Sequence, residues 1–298
     1  MYSILQLPSS VLNDSLLLKV HNASGMELVL LEQIPIHMKT FSYILKMFLL
    51  PVLITLTISC NKNDDSPNGT STINFHLTDG PGVYDAVYLD IKEVQVHTDA
   101  PQGWVTLGLA RQGVYNILQF SNGLDTLLCS ATIPAGKISQ MRMILNSNNS
   151  IVVNGTSYPL NTPSAEESGI KLNLNTDFLP NGSYDVWLDF DAGKSVVVQG
   201  NGSYKLKPVI RAYSVETNGK IAGTVLPLSS KSIVYASNGV DTFTAIPDAT
   251  GYFLFCGLPA GTYTVTIDAD ASTGFQDKVI TNVNVSFGMV TNIGIQQL

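Results

Sequence analysis

Residues 184–191 read Tyr184-Asp185-Val186-Trp187-Leu188-Asp189-Phe190-Asp191. Successive side chains of a strand point to opposite faces. Tyr184, Val186, Leu188 and Phe190 therefore share one face, and Asp185, Trp187, Asp189 and Asp191 the other. The apolar face predicts a half-buried strand. The polar face predicts a surface where carboxylates must be solvated, paired with cations or bound to a metal.

The same reading extends along the chain in both directions. Ile73–Leu77 alternates with period two. Val87, Leu89 and Ile91 share a face, but Val94 and Val96 take the opposite parity, so a bulge at Lys92-Glu93 is needed to restore the register. Strand-like runs also cover Met141–Leu145, Ser150–Val153, Ile170–Leu174, Ser195–Gln199 and Tyr204–Val215. Asn154-Gly155 and Asn201-Gly202 sit between short runs, as tight hairpins require. After Thr217-Asn218-Gly219 come seven further short runs, from Lys220–Leu226 to Val290–Ile295. No long helix is predicted. The expected class is all-β, with two consecutive antiparallel β-sandwich domains over residues 73–216 and 217–298.

A turn-and-strand device recurs as Ile133-Pro134-Ala135-Gly136, Leu179-Pro180-Asn181-Gly182-Ser183-Tyr184 and Leu258-Pro259-Ala260-Gly261-Thr262-Tyr263. Proline ends one strand, glycine supplies the turn, and the residue two places on starts the next buried face.

Two of these segments carry family resemblances. Ile221-Ala222-Gly223-Thr224-Val225, Asp248 with Gly251-Tyr252-Phe253, and Leu258–Tyr263 resemble the carboxypeptidase regulatory-like domain over about residues 218–298. That resemblance implies a seven-stranded, Ig/prealbumin-like sandwich of the carbohydrate-binding-like fold group, accessory and non-catalytic. Leu77–Pro81, Val83–Val87, Ser168–Leu172, Leu188–Ser195 and Leu206–Arg211 fall in an order that resembles the domain of unknown function 4382, over about residues 72–214. It implies an exported β-sandwich, common on lipoproteins, with no established activity.

Upstream, Lys39 and Lys46 precede an apolar run from Met47 to Ile58, then Ser59 and Cys60. The run is short for a membrane span of about 20 residues and fits the h-region of a signal peptide. Leu56-Thr57-Ile58-Ser59-Cys60 resembles the lipobox of bacterial lipoproteins, with Thr57 where leucine is usual. The resemblance implies cleavage before Cys60, lipid on its sulfur and attachment to a membrane. Residues 38–59 are thus expected to be the signal peptide, 60–72 a flexible tether, and 1–37 a mis-annotated leader ahead of a start at Met38. The acidic tether, with Asp64 and Asp65, resembles the surface-export signal of Bacteroidota lipoproteins. The expected location is the outer membrane, surface-exposed, with a periplasm-facing orientation as the alternative.

The chain of 298 residues has a formal net charge of −7. Segment 60–298 holds 13 Lys and Arg against 20 Asp and Glu, so it carries all of that charge. No basic cluster appears, which argues against nucleic-acid partners. His76 and His97 have no partner at zinc-ligand spacing, and no nucleophile elbow occurs. No catalytic residues are assigned. Gly193-Lys194-Ser195 imitates a phosphate loop, but Leu188 stands where its first glycine belongs. Cys129 and Cys256 lie in strand-like runs; a disulfide is open to them, and two buried free thiols are the favoured reading.

The candidate ligand patch is Asp185, Trp187, Asp189 and Asp191. Trp187 would stack on a sugar while the aspartates accept its hydroxyls. Calcium is the possible cofactor, at Asp189 and Asp191, because hard oxygens suit that ion. The plainer reading packs Trp187 under a loop and pairs the aspartates with Lys194, Lys205 or Arg211. Asp79-Gly80-Pro81-Gly82 with Asp85 is a second, weaker candidate, read chiefly as turn chemistry. The function expected is a non-catalytic binding, adhesion or scaffold lipoprotein, with a glycan or another envelope protein as partner. The alternatives are a carbohydrate-binding accessory protein and, third, an enzyme of unrecognised type.

Overall fold

The computed structural model describes residues 19–22, 25–28, 69–99 and 103–298. The signal segment, Cys60 and most of the tether lie outside the described residues. The chain divides into two compact units, Met1–Asp64 and Asp65–Leu298. In the first, β1 (Lys19–Asn22) and β2 (Gly25–Leu28) pair as an antiparallel hairpin.

The second unit holds two separate hydrophobic cores. The first core lies between two sheets. One contains β3 (Thr70–Gly80), β7 (Thr126–Pro134), β12 (Ser183–Asp191) and β15 (Ile210–Tyr213), in the order β15-β12-β3-β7. The other has nine strands. These include β4 (Ala86–Thr98), β8 (Gly136–Leu145), β9 (Ser150–Val153), β10 (Thr156–Asn161), β11 (Ile170–Phe178), β13 (Val196–Val198) and β14 (Tyr204–Leu206). The period-two faces of β3 and β12 supply Ile73, Phe75, Leu77, Leu188 and Phe190 to this core, all buried. In β4 the register slips between Ile91 and Glu93, and the bulge returns Val94 and Val96 to the buried face. Burying each such side chain contributes about 1.5–3 kcal/mol.

The second core lies between β19-β16-β22 and β18-β17-β20-β21. These strands are β16 (Gly219–Leu226), β17 (Ile233–Ser237), β18 (Thr242–Ala245), β19 (Tyr252–Leu258), β20 (Gly261–Asp268), β21 (Lys278–Val285) and β22 (Val290–Gln297). Phe253, Tyr263, Val265 and Ile267 anchor it.

The class is all-β, as the alternation predicts; β18-β17-β20-β21 is antiparallel as expected, but each of the other three sandwich sheets holds one parallel pair. β3 pairs with β12, β10 with β14 and β16 with β22 in parallel. Each of these pairs joins strands distant in sequence, where no hairpin forces opposite directions.

Local differences have local causes. Asn154 and Gly155 both take positive φ and close a two-residue hairpin between β9 and β10. Asn201-Gly202 instead sits inside a longer connection, because Val198 pairs with Tyr204. The run expected at 195–199 begins later: Ala192–Ser195 forms one helical turn, with the Asp191 carboxylate accepting from Lys194 N–H at 2.9 Å. The run expected at 204–215 breaks at Pro208, which has no N–H to donate, into strands of different sheets. The first strand of the 65–298 unit, β3, starts at Thr70, inside the expected tether.

In two copies of the turn device the tyrosine acts as a latch. Tyr263 Oη donates to Pro259 O at 2.9 Å, and Leu179 N–H donates to Tyr184 Oη at 2.9 Å. Cys129 and Cys256 are free thiols. Burial pushes the Cys129 thiol up to about 12, so it is inert at neutral pH.

Candidate functional site

The polar face of β12 is built by its neighbours. Trp187 lies directly opposite His76 on β3 and Tyr213 on β15. Side chains directly opposite on one face of a sheet stand in contact. The three rings accordingly form a row across three strands. His76 stacks on Trp187 at 5.0 Å and 18°, and Trp187 on Tyr213 at 5.9 Å and 12°. Both faces of the indole are covered. Its Nε1–H donates to Asp125 Oδ2 at 2.8 Å.

Asp125 closes the loop that follows the short 3-10 helix Ile117–Phe120. Its Oδ1 lies 3.1 Å from His76 Nδ1, and on the other side His76 Nε2 lies 3.1 Å from Asp185 Oδ1. Asn74 Nδ2–H donates to the same Asp185 oxygen at 2.9 Å. The Asn74 hydrogen bond, helped by His76, holds the Asp185 carboxyl below the usual carboxylate range.

Asp189 lies opposite Arg211 in the β12–β15 register. The pair is 2.5 Å apart, and Asp189 is only 8% exposed. Burial pushes its carboxyl up, with Arg211 opposing. Arg211 reaches on to the second sandwich, donating to Gly257 O and to Cys256 O at 2.8 Å. Its guanidinium also lies 4.6 Å from the Phe243 ring centre. Gly257 has φ +66° and packs against the Tyr213 ring where a Cβ would stand, so only glycine fits this close approach.

Two further side chains cross the same joint. Asn122 Nδ2–H donates to Ile246 O at 3.0 Å while its Oδ1 accepts from Leu254 N–H at 3.2 Å. Within the second sandwich, Asn218 Nδ2–H donates to the same Gly257 O at 3.1 Å. Lys194 Nζ donates to Asp191 Oδ2 at 2.7 Å and to Thr242 O at 2.6 Å. A cleft of about 620 Å³ opens beside these contacts, lined by Asp189, Asp191, Lys194, Arg211 and Phe243 among others.

The four residues expected to form one patch are therefore divided among separate partners. Asp185 belongs to His76 and Asn74, Asp189 to Arg211, and Asp191 to Lys194. Trp187 does not lie open as a stacking platform. Each of the two calcium candidates is already paired: cross-strand register places Arg211 opposite Asp189, and the helical turn places Lys194 over Asp191. Among the described residues no three His, Cys, Asp or Glu side chains come together as a metal would need. Lys205, the third expected partner, makes no ion pair among the described residues, while Asp125 and Tyr213 join the site unanticipated.

The second candidate loop is also divided. Asp85 Oδ2 accepts from Gly155 N–H at 2.7 Å, steadying the hairpin. Asp79 is 5% exposed; its Oδ1 accepts from Ala192 N–H at 3.1 Å, and its Oδ2 has no partner among the described residues. Burial, then the charge of Asp189, raises the Asp79 carboxyl well above its usual range. The signal was in the sequence, since Asp79 continues the 73, 75, 77 parity of the buried face.

A carboxyl raised in the fold binds its proton more tightly there than in the unfolded chain. The stability it supplies is complete below the unfolded value and is lost as pH rises through the folded one. Asp79→Asn keeps the acceptor for Ala192 and carries no charge. The variant is expected to be more stable than the parent at neutral pH, with the difference shrinking as pH falls towards about 4. Urea unfolding across that range measures it; a difference that does not change with pH would contradict a titrating Asp79.

No curated protein matches the chain. Among solved structures it is similar to the Bacillus anthracis TIE protein at 11% identity and TM-score 0.21, over 77% of this chain and 34% of that one. It is similar to GBS52, the minor pilin of Streptococcus agalactiae, at 9% identity and TM-score 0.20, over 77% of this chain and 95% of that one. BcpA, the major pilin subunit of Bacillus cereus, is similar at 10% identity and TM-score 0.20, over 76% of this chain and 69% of that one. Residues 70–208, which span the first core, match the family described as Domain of unknown function (DUF4382).

Proposed function

We propose that this protein is a non-catalytic display module of the cell envelope, which holds two β-sandwiches as one stiff body for adhesion or scaffolding. The observation that carries the reading is the joint. Asn122 and Arg211 each make two hydrogen bonds from the first sandwich to backbone groups of the second. Such contacts spend polar groups on fixing one sandwich against the other, which a displayed scaffold needs. In this reading the C-terminal sandwich is an accessory domain of the carboxypeptidase regulatory-like kind. Lipid on Cys60 attaches the chain to the outer membrane, and the tether carries the sandwiches to the cell surface, where another envelope protein or a glycan is the partner.

Protease treatment of intact cells, compared with cells carrying Cys60→Ala, tests this. The parent is expected to stay with the membrane and to release a fragment of the 65–298 unit on shaving. The Cys60→Ala form is expected in the soluble fraction. Full protection of the parent would place it facing the periplasm. An unchanged membrane association of Cys60→Ala would end the lipid reading.

A further inference from the structure

We propose that a pocket beside β11 and β14 of the first sandwich binds an acidic sugar unit, whose phosphate or carboxylate is held by Lys171, Lys205 and Lys207. The pocket has a volume of about 490 Å³, and these three lysines line it. No aspartate or glutamate does. Segment 60–298 holds 20 Asp and Glu against 13 Lys and Arg, so a pocket with three lysines and no carboxylate runs against the charge balance of the chain. Lys205 and Lys207 flank the buried Leu206 and are both exposed. Their backbone is fixed: β14 pairs with β10 on one side and β13 on the other, and Lys207 N–H donates to Ser195 O at 2.7 Å.

Lys171 also meets a like charge. It stands on β11 directly opposite Arg142 on β8. Like charges directly opposite in a sheet are destabilising. Arg142 is not free to turn away, since its Nε–H donates to Gln95 Oε1 at 2.6 Å and its guanidinium lies 4.1 Å from the Trp104 ring centre. Among the described residues, Arg142, Lys171, Lys205 and Lys207 make no ion pair. The adjoining short helix Pro163–Glu167 carries two acids, but Glu166 accepts from the Thr162 hydroxyl at 2.6 Å, and neither Glu166 nor Glu167 lines the pocket. The positive charge is left for a bound anion to neutralise.

The rest of the lining suits a ring that carries the anion. Ala165, Ile170 and Leu206 are buried apolar residues, and Val197 and Pro208 extend the apolar surface. An inorganic ion would leave that surface uncovered, whereas the C–H groups of a sugar ring cover it. Ser164 and Ser168 add hydroxyls for the ring to meet. The volume falls within the roughly 300–1,000 Å³ of small-molecule sites. Lysine offers a point charge without the planar fork of arginine, so phosphate and carboxylate are both accommodated. The site narrows the glycan partner of the display reading, and its use at the cell surface rests on that reading. Binding is measured on the purified chain and display on cells, so either can fail alone.

Calorimetric titration of the full-length protein with glucose 6-phosphate, glucuronate and glucose tests the site. At least one of the two acids is expected to bind, and to bind more weakly as salt is raised from about 0.05 M to about 0.5 M. Glucose is expected not to bind. The tighter of the two acids identifies the anionic group. Lys171→Gln, Lys205→Gln and Lys207→Gln should each weaken binding by up to about fivefold, and all three together by more than about tenfold. Lys231→Gln combined with Lys278→Gln removes charge from the second sandwich and should leave binding unchanged. Lys171→Gln also relieves the repulsion against Arg142, so in urea it should unfold no earlier than the parent. The proposal is overturned if neither acid binds, if glucose binds as tightly, or if the triple variant binds no worse than the control pair. Should the triple variant fail to fold, the single variants decide, since each must weaken binding where the control pair does not.

Discussion

Arg211→Met is expected to destabilise the 65–298 unit by about 3–5 kcal/mol, the cost of leaving one half of a buried ion pair alone. Asp189 is buried and 2.5 Å from the guanidinium, and among the described residues it has no second cation in contact. The value should fall towards the lower end, because an unpaired buried carboxylate takes up a proton instead of remaining charged. The same change removes the Arg211 donors from Gly257 O, which keeps Asn218, and from Cys256 O, and it uncovers Phe243. Urea unfolding gives the size of the effect. Adding Asp189→Leu should recover most of it, since replacing both partners with apolar groups of similar volume is often neutral. A double variant as unstable as Arg211→Met would show that the loss comes from the carbonyls of the second sandwich and not from the stranded charge.

Phe75→Ala and Phe253→Ala are each expected to cost about 3–5 kcal/mol, because both side chains are 0% exposed and leave cavities in close-packed cores. The two cores have no residue in common. Even so, the hydrogen bonds from Asn122, Arg211 and Lys194 tie one to the other. Calorimetry should therefore find one cooperative transition in the parent, lowered as a whole by either substitution. Combined with Arg211→Met, Phe253→Ala should separate into two transitions, with the second sandwich melting first. If Phe253→Ala alone already left the first sandwich melting at its original temperature, the joint would not couple the cores.

Much of the fold was legible without coordinates. Period-two alternation placed Ile73, Phe75, Leu77, Leu188 and Phe190 on buried faces, and the parity change within β4 located its bulge between Ile91 and Glu93. Asn154-Gly155 announced its own turn, because both residues accept the positive φ that a two-residue hairpin demands. Strand direction was not legible. The parallel pairing of β3 with β12 joins residues more than a hundred positions apart, and nothing local records such a partner.

The site divides in the same way. Its residues were visible: Asp185, Trp187, Asp189 and Asp191 stand on one face because a strand alternates, and that followed from the sequence alone. Their meaning was not. An open patch and a set of paired groups have the same one-dimensional pattern; they differ in what the neighbouring strands and the second sandwich bring against that face. Register set His76 and Tyr213 over the two faces of Trp187 and Arg211 opposite Asp189. A helical turn set Lys194 over Asp191. Side-chain alternation is a property of each strand and is written in its residues, whereas register and domain contact arise between distant segments. The chain thus determined which residues face outward, and only tertiary structure decided that this outward face would become a joint.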